Sequence, residues 1–231
     1  MTTSKRPIPL ALTALVAFFS ALAALAVSSP HAAHAHGTAH HAAEHAQRAV
    51  TAQELALRNE MRRLWEDHIT WTRLAIISLT TDAPDTQATV ARLLENQNDI
   101  GDAIKPFYGA AAGNALTAKL RQHILIAADL IAAAKAGDQA GVAAANARWE
   151  QNADDIATFL NHANPRAWKL AAVKAELHTH LRLTTDEAVA RLGHDWSADV
   201  RAYDRIHRHA LHVADLLSSG LVKQFPRRFG R

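Results

Sequence analysis

From residue 51 onward apolar residues return every three or four positions. No stretch shows the period-two alternation of a half-buried strand. In the first run Leu57, Met61, Leu64, Trp65, Trp71, Ala75, Ile76 and Leu79 share one stripe of a wheel turned about 100° per residue. Stop signals divide the pattern into six helices. Thr51 with Glu54 resembles a capping box at the first start, and TDAPD (81–85) ends that helix. A second helix is expected from about Asp85 to Lys105, stopped by Pro106-Phe107-Tyr108-Gly109. The third is expected over about 113–136, the fourth over 138–162 and the fifth over 166–193, with an irregularity at Thr184-Thr185-Asp186. The sixth runs over about 197–224 and stops before Pro226. Short connections make such helices antiparallel neighbours. The expected fold is all-α: one antiparallel bundle of about six long amphipathic helices over 51–225, followed by a basic tail at 226–231.

The same wheels turn polar residues inward. His68 lies near the middle of the first stripe with Thr72 beside it, while Arg62, Arg63, Glu66, Asp67 and Arg73 lie elsewhere. Gln97 sits among Val90, Leu93, Ile100 and Ile104, and His123 among Leu116, Leu120, Ala127 and Leu130. Asn152 falls between Trp149 and Ile156, Thr184 is central on the fifth helix with His180 at the edge of its stripe, and His209 is near Ile206 and Val213. His68, Gln97, His123, Asn152, His180 and His209 all fall close to their helix midpoints, which antiparallel packing brings to one level. A polar layer across an apolar core is expected.

Unpaired, each such group would cost a few kcal/mol. Four imidazoles (His68, His123, His180, His209) suit Zn²⁺, Cu²⁺ or Ni²⁺, and Gln97, Asn152, Thr72 and Thr184 would orient them or hold a small polar ligand. The carboxylate-rich Glu-x-x-His pattern of di-iron bundles is absent. The alternative is a hydrogen-bonded network that only fixes helix register.

Composition places the chain in a compartment. Lys5 and Arg6 precede an uncharged run, LALTALVAFFSALAALAV (10–27), and Ala33-His34-Ala35 supplies a small-x-small cleavage pattern. Residues 1–35 therefore read as a signal peptide, so the expected location is periplasmic or extracellular. The run is also long enough to span a membrane if it is not cleaved. Removing it lowers the net charge from +3 to +1, because only Lys5 and Arg6 are lost. A near-neutral chain lacks the basic field of a nucleic-acid binder. Residues 36–50 are a His/Ala linker whose His36, His40, His41 and His45 could catch metal loosely. With no cysteine there is no disulfide, thiolate site or cysteine nucleophile.

Two internal echoes stand out: QHILIAADLI (122–131) against RHALHVADLL (208–217), and NQNDI (96–100) against NADDI (152–156). The segments LWEDHITWTR, RLLENQNDIGDAIKPFYG, LTAKLRQHILIAADLIAAAKAGD, RWEQNADDIATFL and ADLLSSGLVKQFP together resemble a family of exported, all-helical bacterial proteins of unestablished function. The resemblance spans about residues 55–226 and implies the helical fold. Some members carry glycosyltransferase or acetylglutamate kinase labels. This chain has no Asp-x-Asp motif and no glycine-rich phosphate loop, nor Gly-x-Ser-x-Gly or His-Glu-x-x-His, so no catalytic residue can be named.

Overall fold

The computed structural model describes residues 50–231. The expected leader (1–35) and the linker up to residue 49 lie outside the described residues. Six helices follow in order: α1 (Ala52–Thr81), α2 (Thr86–Tyr108), α3 (Ala110–Ala136), α4 (Gln139–Ala163), α5 (Leu170–Leu192) and α6 (Trp196–Gln224). A 3₁₀ turn (Pro226–Phe229) ends the chain, and no strand occurs among the described residues. The protein is an all-α bundle.

Local chemistry sets the ends. Thr51 accepts a hydrogen bond from the Glu54 amide, Asp138 from Gly141 and Asp195 from Ala198, starting α1, α4 and α6. The reciprocal half of a capping box is not made, because the Glu54 carboxylate pairs with Arg58 and Arg231 instead. Gly137, at φ 74°, supplies the left-handed residue that closes α3.

The structure differs from the sequence pattern in four places, the first being that α3 begins at Ala110, three residues earlier than expected. α2 runs through Pro106 to Tyr108: a proline in the last turn loses one hydrogen bond without breaking the turns before it. α5 begins at Leu170, four residues later than expected, because 164–169 form a turn that tucks Trp168 into the core. No irregularity occurs at Thr184-Thr185: both hydroxyls donate to carbonyls one turn back, His180 and Leu181, and the helix continues.

Each helix packs on the next and α6 returns to α1, closing the six into a ring. α1 also touches α3 and α5. The bundle is thus three helical hairpins, α1–α2, α3–α4 and α5–α6, with the first helix of each turned toward the middle. The main core joins Trp65, Ile69, Trp149, Ile156, Leu181, Ile206 and Val213. The expected separate tail is part of the fold, since Phe229 is buried and stacks at 6.1 Å on Phe107, while Arg231 pairs with Glu54.

Candidate functional site

His68, Gln97, His123, Asn152, His180 and Thr184 are all buried, as the wheels predict. His180 is not at an edge but at the centre: its ring lies 5.7 Å from that of His68, 6.1 Å from His123 and 6.2 Å from His209. Helix midpoints do meet at one level, and three imidazoles, one from each hairpin, converge there. His209 departs from the expectation, being only partly buried and facing Glu176 at the margin.

The partners of these groups settle their protonation. His123 donates from Nδ1 to Asn152 Oδ1 at 2.8 Å, and its Nε2 accepts from the Trp149 indole N–H at 3.1 Å. Both ring nitrogens are committed, so His123 has no lone pair free for a metal. Asn152 donates in turn to the Lys119 carbonyl at 3.1 Å. On α1, His68 Nδ1 faces the Gln97 amide nitrogen at 3.2 Å, and that nitrogen also reaches the Leu93 carbonyl and Asn96 Oδ1. Burial drives the rings neutral. It pushes His68 down to about 3, with His123 adding to the effect, and His123 down to about 4. His180 is held well below the usual histidine range by burial and then by the surrounding rings.

One tie recurs in all three hairpins. Asn96 donates to the Leu64 carbonyl at 3.0 Å, Asn152 to that of Lys119 at 3.1 Å and His209 to that of Glu176 at 3.1 Å. Leu64, Lys119 and Glu176 each stand four residues before a central histidine, His68, His123 and His180. The NQNDI and NADDI echo therefore matches equivalent positions of two hairpins. The longer echo does not, because it pairs α3, a first helix, with α6, a second one.

Four polar atoms near the layer are buried without a partner: Trp65 Nε1, Thr72 Oγ1, Gln97 Oε1 and His180 Nδ1. Thr184 is not among them, since its hydroxyl is taken by the His180 carbonyl. The adjoining space is small and apolar, a cavity of about 40 Å³ bounded by Trp65, Leu120, Ile156 and Leu177.

A second polar cluster escaped the sequence reading, which set Arg73 aside with the surface charges. Arg73 reaches from α1 to Glu187 at 2.8 Å and grips Asp199 with both terminal nitrogens, and Arg191 adds a bond to Asp199 at 3.2 Å. Both carboxylates are buried. Burial lifts Glu187 to about 7 against the pull of Arg73. Burial also pushes Asp199 upward, but Arg73 and Arg191 outweigh it and hold the group below the usual range. The guanidinium groups of Arg73 and Arg191 lie over the rings of Tyr203 and Trp196, at 5.1 and 4.8 Å. A wheel drawn for one helix cannot find this cluster, since its members stand on three. The available signal was an acid on each side of the α5–α6 turn.

Among the described residues no group of three or more His, Asp or Glu side chains is already gathered closely enough to hold a metal ion. No helix among them is long and apolar enough to cross a membrane. The fold and the layer define a class, an all-α bundle of three hairpins with a tied polar centre. Comparison with protein-family models, with curated proteins and with solved structures finds no match.

Proposed function

We propose that the protein is an exported, non-catalytic helical bundle that serves as a structural or interaction module of the cell envelope, with a central polar layer that sets helix register. Export rests on the leader-like sequence of residues 1–35. The register role rests on the tie that recurs in each hairpin. Apolar faces tolerate sliding by a turn, whereas the buried side-chain pairs beside these ties, His68 with Gln97 and His123 with Asn152, meet in one register only. Replacing His68, Gln97, His123 and Asn152 together by Leu tests this. The expected protein stays helical in the far ultraviolet but loses near-ultraviolet dichroism and binds a hydrophobic dye. A cooperative variant with an unchanged near-ultraviolet spectrum would sink the register role.

A second reading makes the layer a binding centre for Zn²⁺, Cu²⁺, Ni²⁺ or a small polar ligand. The unpartnered His180 Nδ1 and Gln97 Oε1 favour it. Under this reading a ligand raises the melting temperature with concentration, and His180→Gln removes the rise. Persistence of the rise in His180→Gln would place the ligand elsewhere.

A further inference from the structure

The third hairpin departs from the other two at its tie. Leu64, Lys119 and Glu176 occupy equivalent positions, as do Asn96, Asn152 and His209, and as do Asp99, Asp155 and His212. The first two hairpins make their tie with an asparagine amide, so the bond to the carbonyl does not require an imidazole. His209 makes the same bond with Nε2, and the proton it donates leaves Nδ1 with a free lone pair. That lone pair lies 3.7 Å from Glu176 Oε2. Two acceptors face each other with no hydrogen between them. On the other carboxylate oxygen, His212 Nε2 stands at 3.4 Å, long for a hydrogen bond. Among the described residues no Lys or Arg side chain pairs with Glu176, whose only ionic neighbours are these two rings.

We propose that Glu176, His209 and His212 form a site for one divalent transition cation, bound by Nδ1 of His209, Nε2 of His212 and the Glu176 carboxylate. Two imidazoles and a carboxylate match Zn²⁺, with Cu²⁺ and Ni²⁺ as competitors and a fourth position left to water. Ligands about 2.0–2.2 Å from a tetrahedral ion lie roughly 3.4 Å from one another; the two rings now stand 3.7 and 3.4 Å from different oxygens of the Glu176 carboxylate, so the three groups close on one ion only when His212 turns. His209 is oriented as metal-bound histidines usually are, its other N–H held by a backbone carbonyl. His212 completes the set by turning inward: its ring centroid is 6.5 Å from that of His209, and its side chain is 60% exposed and free to rotate. The nearby charges are Arg182, which disfavours a cation, and Asp215, which Arg62 occupies.

This site stands apart from the register layer, and the test separates the two. The full chain with its six histidines before residue 50 replaced by Ser is titrated with Zn²⁺ by calorimetry and with Co²⁺ by visible absorption. One ion per chain and the Co²⁺ bands of a four-coordinate site are expected. His209→Asn restores the tie used by the other hairpins. It should melt like the parent without metal and bind roughly ten-fold or more weakly, as should His212→Ala. If His209→Asn does not fold, His212→Ala, at an exposed position, decides alone. The proposal is overturned if the parent shows no saturable binding, if both variants bind undiminished, or if His68→Gln abolishes binding while His212→Ala does not.

Discussion

His123 shows how much one residue's partners decide. With both nitrogens engaged and Asn152 passing the bond on to a carbonyl, the ring is held as a neutral strut between α3 and α4. Asn152→Ala leaves the His123 Nδ1–H unpaired in the core and removes the side-chain bond to the Lys119 carbonyl, and is expected to cost about 2 kcal/mol in urea denaturation. The buried rings also set a pH dependence. His68 and His123, with folded values of about 3 and 4, stay neutral while the unfolded chain takes up protons below about 6.5. Stability from these rings is therefore full above that pH and falls as the solution is acidified toward pH 4. Glu187 acts in the opposite sense: raised to about 7, it contributes most below about 4.5 and loses its contribution as pH rises through 7. Two rings against one carboxyl leave a net fall in melting temperature from pH 6.5 to 4.5. Glu187→Gln should make that fall steeper, and a variant with an unchanged or shallower slope would contradict the assignment.

Between elements, contact is set where side chains vanish or charges meet. Gly101 on α2 and Gly113 on α3 let the backbones touch: a Cβ on Gly101 would lie 2.8 Å from the Gly113 carbonyl, and one on Gly113 2.6 Å from the Gly101 carbonyl. Neither obstacle is a side chain that can swing aside. Gly113→Ala should therefore push α2 and α3 apart and cost about 1–3 kcal/mol, despite the better helix propensity of Ala. The Arg73 cluster pins α1 to the α5–α6 turn. Asp199→Ala leaves a partly buried guanidinium without its two-pronged partner, so thermal melting should show a loss of about 2–3 kcal/mol with helical content retained. A neutral result would mean that solvent screens Arg73 fully.

For the whole molecule, N-terminal sequencing of exported protein should find a start near residue 36, and a chain beginning at Met1 in the cytosol would refute export. The sequence by itself determined the helices and their inward faces, because a 3.6-residue period and turn residues are local signals, and antiparallel helices of similar length must meet at their midpoints. That was enough to find His68, Gln97, His123, Asn152, His180 and Thr184 in the interior. It could not say what each faces. Whether His123 is a free ligand or a strut depends on Trp149 and Asn152 across a helix pair, and Arg73 looked like a surface charge until α5 and α6 brought Glu187 and Asp199 to it. His209, read as part of the centre, moved to the margin and acquired Glu176 and His212. The reason is physical: burial follows from one helix's own periodicity, but the satisfaction of a polar group depends on a partner far along the chain, and only packing chooses that partner.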